Sequence, residues 1–160
     1  MLNVLPSLLV LGFAALAALL LTLTLRSPPE RREERLAAAR VLAFATAAQG
    51  LHFGEEAATG FHHRLGGLLG LPGIPWSLFV VFNLAWLGIW VASVLGLRSN
   101  RAPAFFAAWF LAIAGTINGI AHPLLAVAAG GYFPGLLSSP LVGIASVWLG
   151  LRLRWATCTE

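Results

Sequence analysis

The residues with chemistry to offer sit in two short sets inside long apolar runs. His52, Glu55 and Glu56 occur in the order His-Phe-Gly-Glu-Glu, and Asn118 and His122 lie in a later run, with Pro123 directly after. His52 and Glu56 are four residues apart, His52 and Glu55 three, and Asn118 and His122 four, so each set shares one face of a helix. Two imidazoles and two carboxylates from two helices match the ligand set of a zinc, iron or manganese ion. Carboxylate and His at helical spacing is also how bundle proteins hold metals. A divalent cation would offset the cost of ionised glutamates in apolar surroundings. On this reading His52, His122 and Glu56 ligate the ion, and the other glutamate, Glu55, serves as general acid or base; either glutamate can take either part. Asn118, or Tyr132 as the only tyrosine, would donate to a developing oxyanion.

Other chemistries use the same residues. A carboxylic acid in an apolar pocket can protonate an alkene while His accepts a proton elsewhere, which suits a metal-free isomerase or cyclase of isoprenoid or sterol-like lipids. His52 and His122 could hold a b-type haem, although adjacent acids fit that poorly. A small ion or proton carrier would use the same acids without catalysis. Three further polar residues, Asn83, His62 and His63, are possible additions to the site. Asn83 alone reads first as a helix–helix hydrogen bond, and His62 and His63, beside Arg64, as solvated interface residues.

The elements that must position these groups are membrane-spanning helices. Of 160 residues, 59% are hydrophobic and 10% charged, with a mean hydropathy of +0.85; a soluble domain carries about a quarter charged residues. All ten cationic side chains are Arg. The absence of Lys excludes a lysine Schiff base, and so a retinal pigment of the usual kind. Cys158 is the lone cysteine, so there is no disulfide framework and no thiolate metal cage. The sequence pI near 11.1 points to anionic lipid headgroups, not nucleic acid, because the arginines lie in short connections. The pattern predicts a single all-α integral membrane domain over 1–160, a polytopic bundle of about five spans at 4–25, 36–60, 76–97, 103–128 and 136–152. Residues 61–75, with their Gly and Pro, should form a loop or short interfacial segment. Arg26, Arg31, Arg32, Arg35, Arg40, Arg98, Arg101, Arg152 and Arg154 would fall on one side and Arg64 on the other. That bias puts the amino terminus outside and the carboxyl terminus inside a bacterial inner membrane.

This topology places the two polar sets at one depth. At ~1.5 Å rise per residue, His52 to Glu56 lie ~20–28 Å from the inner face on an outward-running helix, and Asn118 and His122 ~22–28 Å up another. Asn83 lies ~10 Å below the outer face on an inward-running one. Gly115-x-x-x-Gly119 reads as a packing face. The tryptophans at 86, 90, 109 and 148 read as packing or lipid-facing residues.

Three short motifs stand in order: His52-x-x-Glu55-Glu56, Asn118-x-x-x-His122 and Tyr132-x-Pro134-Gly135. Over roughly residues 40–155 the chain resembles the bacterial membrane-protein family named for its HXXEE motif, a family of unknown function. The resemblance implies that His52, Glu55, Glu56, Asn118, His122, Tyr132, Pro134 and Gly135 act together, and it names no reaction. The expectation from the sequence is a metal-dependent membrane enzyme acting on a lipid or other apolar substrate that enters from the bilayer. Tyr132 would cap the site from the last loop, or its turn would be a structural hinge. A homodimer would help to enclose a large site.

Overall fold

The structure, a computed structural model, describes residues 5–157. Val4, the first residue of the first expected span, and Cys158 lie outside the described residues. Six α-helices and one 3-10 turn make up the described chain, with no strand among the described residues. They are α1 (Leu5–Thr24), α2 (Arg32–Thr59), α3 (Phe61–Leu69), α4 (Trp76–Arg98), α5 (Ala102–Ala128) and α6 (Ser139–Thr157), with the turn at Pro29–Arg31. At the centre, α6 packs along α5 and α2; α4 leans on α2 and α5, and α1 on α5.

Local chemistry sets the boundaries. Glu33 and Glu34 occupy the first turn of α2, where acids complement the helix dipole. The buried Arg35 ties that end down, its Nη1 donating to the Pro28 carbonyl at 2.7 Å and to Ser27 Oγ at 3.1 Å. The helix then runs unbroken past His52, Glu55 and Glu56 to Gly60, whose φ of 78° ends it. Pro103 sits in the first turn of α5, where a missing N–H costs nothing.

Two boundaries differ from the sequence expectation. Phe61–Leu69 is a helix rather than a loop; the glycines at 66 and 67 hide it, because Gly66 is needed where Leu71 and Pro72 fold back on it. The last helix begins at Ser139, not 136, and continues to Thr157. Pro134 to Ser138 are held in turns, with Leu136 N–H bonded to the Phe133 carbonyl at 3.1 Å, and Pro140 fits the first turn of the late-starting helix.

Helices α4 and α5 are long and apolar enough to cross a membrane, and Leu9–Thr24 of α1 is a shorter apolar helix. The core between helices is rich in alanine: Ala38, Ala39, Ala45, Ala107, Ala108 and Ala145 are all buried. Trp90 fastens α4 to α5 by donating its indole N–H to the Ala107 carbonyl at 3.0 Å. The closest approach is between α5 and α6, where a Cβ placed on Gly119 would lie 2.6 Å from Gly143 Cα. Gly119→Val should therefore cost about 1–3 kcal/mol through overpacking. The check is the unfolding midpoint in detergent, which should fall at unchanged helix content; an unmoved midpoint would contradict the seam.

Candidate metal centre

The site is built on α2 and α5 and closed by the segment between α5 and α6. Along α2 the buried polar residues Thr46, Gln49, His52 and Glu56 recur every three or four positions, so they form one inward stripe. His122 reaches the same point from α5. The His52 and His122 rings meet edge to face, with centroids 4.6 Å apart at 89°. Both imidazoles and Glu56 are buried, with His52 wholly out of contact with solvent. Glu56 Oε1 lies 3.4 Å from His122 Nε2 and 3.6 Å from His52 Nε2. One ligand atom from each of His52, Glu56 and His122 lies within 4.8 Å of the others.

Hydrogen bonds on the far side of each ring decide which nitrogen faces the cluster. His122 Nδ1 lies 2.7 Å from the Pro134 carbonyl. A carbonyl only accepts, so Nδ1 carries the proton and Nε2 presents its lone pair to Glu56. His52 Nδ1 lies 2.9 Å from Ser138 Oγ, and His52 Nε2 is buried with no hydrogen-bond partner. Two imidazole nitrogens and a carboxylate oxygen thus converge on one buried point. The 3.4 and 3.6 Å spacings are too long for N–H···O bonds. They are close to the ~3.3–3.5 Å edge of a tetrahedron with ligands at about 2.0–2.1 Å from an ion. Donor types, burial and spacing all fit a zinc-like cation.

Glu55 has a different task. Its Oε1 accepts from Tyr132 Oη at 2.7 Å and Leu137 N–H at 3.0 Å, and its Oε2 from Ser138 N–H at 2.8 Å and Ser138 Oγ at 2.5 Å. The carboxylate therefore sits on the first free amides before α6, where a helix start favours an anion. The sequence reading makes Glu55 a catalytic acid or base, or a ligand; in the structure its four bonds tie it to the last loop. Tyr132 likewise donates to Glu55 and not into the cluster. Burial raises the phenol's pKa, and the neighbouring Glu55 raises it further.

Gly135 explains the end of the Tyr-x-Pro-Gly motif. It adopts φ +87°, and a Cβ there would lie 2.5 Å from His122 Cε1 and 2.8 Å from His52 Cε1. Only glycine lets this backbone lie across both rings.

The remaining sequence candidates lie elsewhere. Asn118, one turn before His122, is half-buried and makes no side-chain hydrogen bond among the described residues. Asn83 donates to its own helix, to the Phe79 carbonyl at 2.9 Å. His62 is buried on α3 against Trp76 and Phe79, with ring centroids at 4.9 and 5.9 Å, and His63 beside it is exposed. Aromatic rings border the centre: Phe61 lies 5.5 Å from the His122 ring and Phe133 6.3 Å. Sequence reasoning misses Ser138, whose hydroxyl and N–H meet His52 and Glu55.

Compared with known proteins, the chain matches no family model, no curated protein and no solved structure.

Proposed function

We propose that this chain is a membrane-embedded, metal-dependent enzyme acting on a lipid or other apolar substrate. The observation that carries the reading is the convergence of His52 Nε2, His122 Nε2 and Glu56 Oε1 at one buried point, with the Nδ1 atoms turned away to Ser138 Oγ and the Pro134 carbonyl. The three residues would hold a zinc, iron or manganese ion, and three protein ligands leave a coordination position for substrate, as in catalytic sites. When bound, the ion supplies Lewis acidity toward a polar group of the substrate. The chain's own contribution is an aromatic wall, Phe61 and Phe133, beside the His122 ring, which suits an apolar partner.

Membrane embedding with five spans, the amino terminus outside, belongs to the same proposal. It is supported by the apolar exterior: Val81, Val91, Val127 and Ile144 are all more than half exposed, as expected where lipid is the solvent. The arginine bias supports the orientation. It also supports placement in a bacterial inner membrane, and the three motifs support membership of the HXXEE-motif family.

Elemental analysis of untagged, detergent-purified protein tests the metal. The wild type should carry close to one equivalent of zinc, iron or manganese, and the His52→Ala/His122→Ala double variant none. Two folded proteins equally free of metal would sink this mechanism and turn attention to Glu56 as a proton donor to an isoprenoid.

A further inference from the structure

Ser138 lies at the junction of the two hydrogen-bond systems. Its hydroxyl has one proton. That proton goes to Glu55 Oε2, 2.5 Å away, since a carboxylate already accepting from Tyr132, Leu137 N–H and Ser138 N–H has none to give. Ser138 Oγ can then only accept from His52 Nδ1, 2.9 Å away. His52 Nδ1 is therefore protonated and Nε2 is the lone-pair nitrogen. This is the nitrogen that is buried without a partner and faces Glu56. His122 obtains the same tautomer directly from the Pro134 carbonyl.

We infer that Ser138, oriented by Glu55, is a positioning residue that sets the tautomer and ring orientation of His52 and so primes the centre to bind a divalent cation. The inference rests on the metal reading of the same centre and deepens it. Carboxylate-to-hydroxyl-to-imidazole chains behind a ligating His hold the ring and raise its basicity, and their loss costs metal affinity 10- to 100-fold in comparable sites. The arrangement also separates the roles of the two adjacent glutamates. Glu56 points at the nitrogens, and Glu55, one residue earlier and turned about 100° around the helix, controls one of them from behind.

The test uses the full chain in detergent, with two readouts. In protein labelled with 15N at histidine and freed of metal, the wild type should show His52 with a protonated Nδ1 and an unprotonated Nε2. Ser138→Ala should lose that signature and give a tautomer mixture, while Ser138→Thr, which keeps the hydroxyl, should retain it. Titration with zinc should show affinity falling 10- to 100-fold in Ser138→Ala and in Glu55→Gln, and little in Ser138→Thr. Ser138→Ala keeps its backbone N–H on Glu55, so it carries the test even if Glu55→Gln does not fold. A purely structural role would lower the unfolding midpoint and leave the His52 tautomer alone. An unchanged tautomer and unchanged zinc affinity in folded Ser138→Ala would overturn the inference and leave the metal centre standing. A wild type that binds no zinc, iron or manganese would overturn the metal reading, while the nitrogen spectra still decide whether Ser138 sets the tautomer.

Discussion

Glu56→Gln should lose metal affinity by at least about 100-fold, because removing a direct ligand must cost more than the 10–100-fold typical of outer hydrogen-bond partners. Gln has the same size and keeps a carbonyl oxygen, so the packing of α2 against α5 and α6 is preserved. Only the charge leaves. In metal-free protein that loss is neutral or favourable, since a carboxylate at 6% exposure that faces the Nε2 atoms of two imidazoles is costly to keep charged. The variant should therefore unfold at or above the wild-type midpoint without metal. Metal at one hundred times its Kd adds about 2.7 kcal/mol to a folded state that alone binds it. The wild type should gain that in zinc and the variant should not. Thermal scans of both proteins with and without zinc give all four values. A variant that keeps the wild-type gain would remove Glu56 from the ligand set.

Gly135→Ala should destabilise the protein by at least about 2 kcal/mol and empty the centre. Two effects add. A non-glycine residue in the left-handed region costs about 1–3 kcal/mol, and overlap in a packed interior about 1–3 kcal/mol more. The new methyl would lie 2.6 Å from His122 Nδ1, the atom bonded to the Pro134 carbonyl, so relief of the overlap must break that bond or rotate the ring. Gly130 supplies the control. It has φ +69° in the same connection, but open space where a Cβ would go. Gly130→Ala carries the backbone cost alone. The difference between the two variants in unfolding midpoint and metal content isolates the contact with the imidazoles. Equal effects would mean that the loop does not rest on the rings.

The main helices were legible because each is a long apolar or alanine-rich run bounded by Pro, Gly or Arg. His52, Glu56 and His122 were legible because i,i+4 spacing and depth along two helices are properties of the chain alone. What could not be read was which of Glu55 and Glu56 faces the imidazoles and which faces the last loop. Adjacent residues differ only by rotation around the helix, and the direction of the bundle interior is a tertiary fact. The role of Ser138 was hidden for a related reason. It depends on the last helix starting at Ser139, which leaves the N–H groups of Leu137 and Ser138 free for Glu55; the apolar pattern there allows an earlier start. Helix α3 was obscured by Gly66 and Gly67, which lower helix propensity at a place where the fold needs small residues. Asn83 shows the converse: a polar residue at a suggestive depth that serves only its own helix.

The bonds that tie Glu55 and His52 to the last loop also order events in time. His52 and Ser138 are 86 positions apart, with α3, α4 and α5 between them. When α2 has been synthesised, Glu55 has no amides to accept from and His52 Nδ1 no hydroxyl to meet. Contacts this distant in sequence form late, after the intervening loops have closed. The centre therefore closes late, and a polypeptide halted before residue 138 would leave His52 Nδ1 without its hydroxyl and Glu55 Oε2 without the Ser138 donors. On the proposed metal reading, cation binding would thereby report that the segment before α6 has docked on α2.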